Sequence, residues 1–295
     1  MTAVRPDPVL TDSVQVDVVE EIVSSAPLGL RFWDWALDQP VRDGLVVRAR
    51  PAAGGQVTTA RPSSRGVHGF LSLPTTRAAE RGPVADFDDE TAYDVSVVDS
   101  RGRYVTLGLS VDAPVAGVQP APTVLPDLDE GPAVLPGFYL FSAATRAVPP
   151  GFVCVRLDLR DETRPVMGIV GAFAPAAHAL VRVATDDAIW WGLSDSDGRA
   201  LVLAPAPAFA AASDGDGPLD PTRQSWEAEL EVRYGALPPD PFTGVPDFAD
   251  IADQDVAAAT HVGTTFTGSR AVDVEYGQAL VVRSPGRSDL LVRPA

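Results

Sequence analysis

The sequence of 295 residues contains no lysine, a single cysteine and no long uninterrupted apolar run. One cysteine, Cys154, excludes an intrachain disulfide framework and a cysteine-based zinc site. Because lysine is absent, a phosphate-binding loop ending in Gly-Lys cannot form. A membrane-spanning helix needs about 18 or more consecutive apolar residues, so none is expected. The first residues lack the apolar core of a signal peptide, which predicts a cytoplasmic protein that cell lysis could release.

Basic side chains are also scarce. The 23 basic residues are all arginine and stand against 40 acidic residues, which gives a formal net charge of -17. A surface of this sign repels phosphate backbones and anionic lipid headgroups. We therefore expect neither nucleic-acid binding nor binding to a membrane surface.

Long amphipathic helical patterns are missing, and the periodicity that is present is mostly two. Apolar and polar side chains alternate over residues 14–18, 93–97 and 226–234. Such alternation places one face of a strand on a core and the other in water. Gly and Pro clusters interrupt these runs at roughly the 8 to 12 residue spacing that is typical of β-sandwiches. The best helical candidate is the segment 246–260.

An internal repeat predicts two related domains. Each copy carries a strand, a turn with Pro-Val, a second strand, a Gly-marked turn, a short strand ending in proline, a loop and an alternating strand. The first copy covers 30–97 and the second covers 155–234. In this alignment residues 44–51 correspond to 168–175.

The predicted fold is all-β, with two related Ig-like or transthyretin-like β-sandwiches joined by a proline-rich linker and with extended arms at both ends. Frequent prolines in the linker favour a semi-rigid, extended spacer. The predicted boundaries are an N-terminal arm at 1–27, a first sandwich at 28–113, a linker at 114–136, a second sandwich at 137–238 and a C-terminal arm with a β-hairpin at 239–295.

Catalytic and metal-binding patterns have little support in the sequence. Ser194 lacks the Gly-x-Ser-x-Gly spacing of a nucleophile elbow, so a turn is the better interpretation. Acidic groups at 86–90, 195–197 and 214–216 fit solvated loops, while calcium binding and a glycosidase carboxylate pair remain open. We predict no catalytic residue, no cofactor, no metal ligand and no enzyme activity. The three histidines lie far apart and fit no zinc motif: His68, His178 and His261.

Contacts between subunits are predicted at two places. Trp190 and Trp191 are neighbours on a strand and must point to opposite faces, so one of them needs a covering surface. Apolar strands in the C-terminal arm could extend the sheet of a neighbouring chain through backbone hydrogen bonds. The candidate contact residues are Trp190, Trp191, Leu280, Val282, Leu290 and Val292.

Two sets of segments resemble known families. The stretch Gly192-Leu-Ser-Asp-Ser-Asp-Gly-Arg-Ala-Leu-Val-Leu-Ala-Pro205, which follows Pro165-Val166, resembles the carboxypeptidase regulatory-like (transthyretin-like) sandwich. Three further segments resemble proteins encoded with actinobacterial phage-tail-like contractile injection systems. They are Gly29-Leu-Arg-Phe-Trp-Asp34 with Pro40-Val-Arg-Asp-Gly44-Leu-Val-Val, then Tyr139-Leu-Phe-Ser-Ala-Ala-Thr-Arg146 through Gly151, and Gly277-Gln-Ala-Leu-Val-Val-Arg283 through Val292.

The second resemblance implies a structural subunit of the particle, without catalytic residues. It would be a cap or collar adaptor at one end of the sheath and tube, or a baseplate part. Its implied partners are sheath, tube, cap or baseplate proteins, and further copies of itself in a ring-forming homo-oligomer. A stand-alone sandwich module that binds sugar or peptide is the alternative reading, and a hydrolase is a distant third.

Overall fold

A computed structural model describes residues 26–74, 91–113, 137–186, 188–206, 225–261 and 264–295. Within these ranges the chain forms twenty strands and one short helix. The strands assemble into sheets that are mostly antiparallel, so the predicted all-β sandwich fold is confirmed. In the part of the chain that the structure describes, no helix is both long and apolar enough to cross a membrane.

The first sandwich packs two sheets around one apolar core. One sheet has the strand order β2-β1-β6-β5, and β9 is also paired with β1. The facing sheet has the order β4-β3-β7-β8. Alternate residues of β3 and β8 point into the core, because successive side chains of a strand lie on opposite faces. The strands are β1 (Leu28–Asp34), β2 (Gln39–Pro40), β3 (Leu45–Pro51), β4 (Thr58–Thr59), β5 (Arg61–Pro62), β6 (Val67–Phe70), β7 (Thr91–Asp99), β8 (Leu107–Ala113) and β9 (Phe138–Leu140).

The second sandwich is larger and is organised around one long strand, β10. Its first sheet has the order β11-β10-β20-β16-β17, with β14 and β19 also paired to β10. The facing sheet has the order β13-β12-β15-β18. The elements are β10 (Phe152–Pro165), β11 (Phe173–Pro175), β12 (Leu180–Ala184), β13 (Ile189–Leu193), β14 (Arg199–Pro205), β15 (Ser225–Arg233), α1 (Phe248–Ala252), β16 (Ala258–His261), β17 (Thr264–Thr267), β18 (Arg270–Glu275), β19 (Ala279–Val282) and β20 (Leu290–Arg293).

The two sandwiches share a common arrangement of strands. The first strand, β1 or β10, pairs with a later antiparallel strand, β6 or β14. Matching turns precede these later strands, at Gly66 with φ of 78° and Gly198 with φ of 80°, a conformation that glycine adopts without a Cβ penalty. The predicted match between 44–51 and 168–175 is wrong, because the first segment forms β3 in one sheet and the second ends in β11 of the other sheet. The counterpart of β3 is β12, which pairs with β15 as β3 pairs with β7.

The predicted boundary between the sandwiches also needs correction. Strand β9 lies parallel to β1, with Phe32 opposite Phe138, and Val105 N–H donates to the Phe141 carbonyl. Phe138 and Phe141 are buried in the first core. The segment 114–136 lies outside the described residues, but the strands that it connects, β8 and β9, both belong to the first sandwich. It therefore does not link the two sandwiches, and the crossing between them falls between β9 and β10.

The C-terminal segment is not an arm, because it supplies strands to the second sandwich. β18 pairs with β15, and β19 and β20 pair in succession with β10 in parallel register. The predicted hairpin is wrong as well: β19 and β20 both lie along β10 and do not pair with each other. The predicted N-terminal arm at 1–27 lies almost wholly outside the described residues.

The predicted helical segment 246–260 contains a helix of five residues, α1. Its N-cap is Asp247, whose side chain accepts a hydrogen bond from Ala249 N at 2.7 Å. Phe248 and Ile251 of α1 belong to the same apolar cluster as the core of the first sandwich. The excursion between β15 and β16 therefore fastens the second sandwich to the first.

Candidate interaction surface

Ser194, which follows strand β13, is a buried structural residue. Ser194 is fully buried, its hydroxyl donates to the Ala176 carbonyl at 2.8 Å, and Ala179 N–H donates to the hydroxyl at 2.8 Å. Both hydrogen bonds tie the end of β13 to the segment before β12. The Ser194 hydroxyl is thus committed to backbone partners in the core.

The nearby acidic pair shapes a turn. Asp195 accepts hydrogen bonds from the backbone N–H groups of Asp197 and Arg199, both at 2.9 Å, the pattern of an Asx turn. Among the described residues, no three or more His, Cys, Asp or Glu side chains are arranged to hold a metal ion. The acidic groups at 86–90 and 214–216 lie outside the residues that the structure describes.

Two of the histidines are buried in the sandwiches. His68 is 1% exposed and its ring meets Phe32 edge-to-face with centroids 5.4 Å apart. Burial lowers the pKa of His68, and burial likewise lowers the pKa of His178 despite the nearby charge of Asp195. His178 also has a positive φ of 60°. The side chain of His261 is not among those the structure describes.

The two adjacent tryptophans point to opposite faces, as predicted. Trp191 is 1% exposed and belongs, with Leu180 and Leu193, to the apolar cluster of the first sandwich. The covering surface that it needs is therefore supplied within the chain. Trp190 faces the interior of the second sandwich, where with Trp226 it borders a cavity of about 20 Å³, room for about one water molecule.

The other four candidate contact residues also lie within the chain's own fold. Val282, Leu290 and Val292 are at most 1% exposed and form part of the second core. Leu280 packs against the same core and is partly buried. These side chains stabilise the second sandwich, in which β19 is paired with β10, and β20 lies between β10 and β16 with both of its edges paired.

The exposed apolar surface lies at another place, in the loop between β10 and β11. We call residues 166–172 the tip loop. Its side chain Met167 is 95% exposed, Ile169 is 61% exposed and Val170 is fully exposed, with Val166 at 38%. Solvent-exposed aliphatic side chains are common singly, but a contiguous group on one turn marks an interaction surface.

Internal hydrogen bonds give the tip loop a defined shape. Val166 N–H donates to the Ala172 carbonyl at 2.9 Å, and Ala172 N–H donates to the Ile169 carbonyl at 3.3 Å. Gly168 and Gly171 have φ of 83° and 76°, so they provide the positive-φ positions that fold the loop back on itself.

A side chain from the C-terminal region holds the base of the tip loop. Arg287 donates from Nη1 to the Gly171 carbonyl at 2.8 Å, and its guanidinium lies 5.2 Å from the ring centroid of Phe173. The same guanidinium is paired with Asp289, and this hydrogen bonding raises the pKa of Arg287. The apolar side chains are thus presented by a braced turn.

The equivalent loop of the first sandwich is covered. It spans residues 35–38, between β1 and β2. Trp35 packs edge-to-face on Tyr139 at 4.7 Å, and Ala36 is 7% exposed. Ala36 belongs to an apolar cluster with side chains of the second sandwich, namely Cys154, Leu201 and Leu203. The first loop therefore packs against the next sandwich along the chain.

The tip loop was not predicted, because its run of Val, Met, Ile and Val is typical of a buried strand. The glycines at 168 and 171 were the available signal for a turn, since glycine inside an apolar run marks a bend more often than a strand. The prediction that Trp190 and Trp191 point to opposite faces of the strand followed from strand geometry alone.

No family model and no curated protein matches the sequence. Among solved structures the chain is similar to the Bacillus anthracis TIE protein, with 10% sequence identity and a TM-score of 0.23. The similarity covers 89% of this chain and 34% of that one, so this chain spans about a third of that protein's length.

Proposed function

We propose that the chain is a non-catalytic structural subunit of a phage-tail-like contractile injection particle, a cap or collar adaptor at one end of the sheath and tube. The observation that carries the structural role is the tip loop, a braced turn that holds Met167, Ile169 and Val170 in water. A protein keeps such a group exposed when another protein surface covers it in the working assembly. The placement in a contractile particle comes from the sequence resemblance of the three segments given above.

Rigidity of the body supports the same role. One apolar cluster contains the core of the first sandwich together with Trp191, Phe248 and Ile251 of the second half. Arg156 on β10 also donates to the Ala144 carbonyl at 2.6 Å across the boundary. Two domains that share buried side chains move as one unit more than domains joined by a polar linker do. A rigid body is what a subunit needs in order to hold its neighbours at fixed spacing.

The proposed site of action is the particle assembled in the cytoplasm and released by lysis. Sheath, tube or cap proteins are the proposed neighbours, and a baseplate position in the same particle is the alternative. The negative net charge of the chain, -17, favours neighbours with basic faces.

Co-sedimentation tests this proposal. The full-length chain is added to purified particles that were assembled without it, and the particles are pelleted and imaged at their ends. We expect the chain in the pellet with sheath and tube proteins and extra density at one end. A chain that stays in the supernatant at all concentrations contradicts the role.

The stand-alone binding module predicts a different result. The cavity beside Trp190 and Trp226 has a volume of about 20 Å³ and is lined mostly by apolar side chains of the second sandwich. A volume of this size holds about one water molecule, so a thermal-shift screen with sugars and peptides is expected to show no stabilisation that depends on this cavity. A ligand that raises the melting temperature, with the rise lost in Trp226→Ala, would favour the binding module instead.

A further inference from the structure

One contact between sandwiches is already present inside the chain. The first hairpin loop places Ala36 on the outer face of β10 and β14, where it packs with Cys154, Leu201 and Leu203. Leu201 and Leu203 are at most 1% exposed in this contact. A hairpin loop of the first sandwich thus covers the outer face of strands β10 and β14 of the second sandwich.

The second sandwich has a loop equivalent to residues 35–38, which is the tip loop. The first sandwich has a face equivalent to the outer face of β10 and β14. Leu71 follows Phe70, which pairs with Leu28, just as Leu203 follows Val202, which pairs with Val155. Leu28 and Val155 stand at the same distance along their strands from Asp34 and Asp161, the residues that end the matching segments. Leu71 is therefore the counterpart of Leu203.

Leu71 differs from its counterpart in exposure. Leu71 is 46% exposed, whereas Leu203 is 1% exposed beneath the first hairpin loop. Ala26 lies beside Gly69, the counterpart of Leu201, so the open part of this face is centred on Leu71. We call Val67, Gly69 and Leu71 the acceptor face. Among the residues that the structure describes, the tip loop thus packs on no face, and no loop covers the acceptor face.

We infer that the tip loop of one copy docks on the acceptor face of a second copy, repeating between chains the contact that joins the two sandwiches within a chain. Met167, Ile169 and Val170 would cover Leu71 as Ala36 covers Leu203. The two surfaces are different patches of one molecule, so the contact is head-to-tail. Such a contact closes into a ring if the rotation per copy allows, and otherwise continues as a filament.

Other binding partners for the tip loop fit the structure less well. The cavity of about 20 Å³ at the far end of the second sandwich is too narrow for an aliphatic side chain. A membrane is disfavoured by the net charge of -17 and by a tip without tryptophan or tyrosine, the residues that anchor at lipid interfaces. A tip-to-tip dimer would leave the acceptor face uncovered.

The size of the tip sets the expected strength. Four exposed aliphatic side chains amount to a patch on the order of a few hundred Å², below the roughly 800 Å² per partner of a stable interface. A single contact is therefore weak, and assembly in dilute solution depends on concentration. Ring closure strengthens it because each copy then makes two contacts at once.

Cysteine cross-linking tests the arrangement directly. Single variants Val170→Cys and Leu71→Cys are mixed at high micromolar concentration with a short bis-maleimide. The native Cys154 is 5% exposed and burial raises the pKa of its thiol, so it reacts slowly and the wild type gives the background. We expect a cross-linked dimer in the mixture and little in either variant alone. Equal cross-linking of Val170→Cys by itself, or none in the mixture, overturns the inference.

A charge substitution gives an independent measurement by sedimentation velocity. Met167→Asp with Val170→Asp is expected to weaken self-association by about tenfold or more, as loss of buried anchor side chains does. The matched control is Val57→Asp with Val98→Asp, two other exposed valines at 44% and 41%, which should associate as the wild type does. A wild type that stays monomeric at every concentration, or a control that is weakened equally, overturns the contact.

This inference deepens the proposed structural role but is tested on the purified chain alone. Wild-type chain that self-associates through the tip loop but does not pellet with particles keeps the inference and ends the proposed function. Chain that pellets with particles although tip and control variants associate alike keeps the function and ends the inference. Tip-dependent binding to phosphatidylcholine or phosphatidylglycerol vesicles, measured by flotation, would assign the tip to a membrane and also overturn it.

Discussion

Two buried aspartates have the same environment in the two sandwiches. Asp34 is 2% exposed and accepts from the Tyr104 hydroxyl at 2.8 Å, and Asp161 is fully buried and accepts from the Tyr234 hydroxyl at 2.9 Å. Each also accepts from a backbone N–H two residues further along the chain. Burial, and then the neighbouring Asp161, raise the pKa of Tyr234 to about 12. The tyrosines therefore act as neutral donors to Asp34 at the end of β1 and to Asp161 within β10.

Removal of Asp34 should cost more than removal of its tyrosine partner. Arg146 also contacts Asp34, at 2.6 Å, and both side chains are largely buried. Asp34→Ala leaves the arginine without its counter-ion, which we expect to cost about 3–5 kcal/mol. Tyr104→Phe removes one hydrogen bond and should cost about 1–2 kcal/mol. Urea unfolding measures both.

The control for these variants is Asp43, a surface partner of Arg101 with both side chains 57% exposed. Asp43→Ala should change the free energy of unfolding by less than about 1 kcal/mol. If Asp34→Ala unfolds with the midpoint of Asp43→Ala, the buried pair contributes no net stability.

The buried histidines predict acid sensitivity in the near-neutral range. Burial lowers the pKa of His68 and of His178 in the folded protein, so the unfolded chain binds these protons more readily. The stability is complete above the unfolded value of about 6.5 and falls as the pH drops through it towards the folded pKa. Melting temperatures between pH 7.5 and 5.5 should show this fall.

His68→Leu separates the contribution of one histidine. The variant keeps an apolar neighbour for Phe32 and removes the group that titrates, so its melting temperature should fall less over the same pH interval. A slope equal to that of the wild type would mean that His68 is protonated equally in the folded and unfolded chains.

At the scale of elements, β10 depends on strands far from it in sequence. One edge pairs with β14 and then β11, and the other pairs with β19 and then β20. Each sandwich is completed by a late strand that runs parallel to its first strand, β9 in one and β19 with β20 in the other. Parallel pairing of this kind requires a long connection, which here consists of the strands that lie between the two partners in the sequence.

Deletion of residues 270–295 should therefore unfold the second sandwich. The deletion removes β18, β19 and β20 and exposes one edge of β10 together with the core around Leu157 and Leu159. We expect limited proteolysis to degrade the region after β9 and to leave a resistant fragment of the first sandwich. A truncated chain that resists proteolysis over its whole length would contradict the pairing.

The elements differ in how far the sequence predicts them. Alternating burial in β15 was predictable from the pattern over 226–234, because this strand has one face in a core and one in water. The pairing of β9 with β1 and of β19 with β10 was not predictable, since it is set by tertiary contacts and not by a local pattern. The tip loop was mistaken for a strand because apolar composition does not reveal which side chains another surface covers.

At the scale of the whole molecule, the two sandwiches are joined through close contacts on both sides of the boundary. The rings of Phe141 and Phe248 lie 5.6 Å apart, and the guanidinium of Arg50 lies 4.7 Å from the ring of Phe242. Gly108 on β8 bridges Asp247 in parallel register. The excursion between β15 and β16 therefore lies directly on the backbone of the first sandwich.

This close approach predicts that Gly108 has to remain glycine. A Cβ at this position would lie 2.9 Å from both the Pro246 carbonyl oxygen and Thr243 Oγ1, closer than side-chain atoms pack without displacement. Gly108→Ala should push the excursion off β8 and weaken the coupling of the two sandwiches. We expect the single unfolding transition of the wild type to split into two in differential scanning calorimetry.

Gly235→Ala is the matched control, because the nearest atom to a Cβ there is Gln254 Cγ at 3.8 Å, an ordinary contact. It should keep the single transition, and by restricting the unfolded chain an alanine at a compatible position tends to stabilise by about 0.4–1 kcal/mol.

The head-to-tail contact depends on the same rigidity, since the tip loop and the acceptor face lie on different sandwiches. Gly108→Ala should therefore also lower cross-linking between Val170→Cys and Leu71→Cys chains in a closed ring, where a variable angle between sandwiches prevents closure. Split transitions with an unchanged yield of cross-linked dimer would show that assembly tolerates a hinge at the boundary.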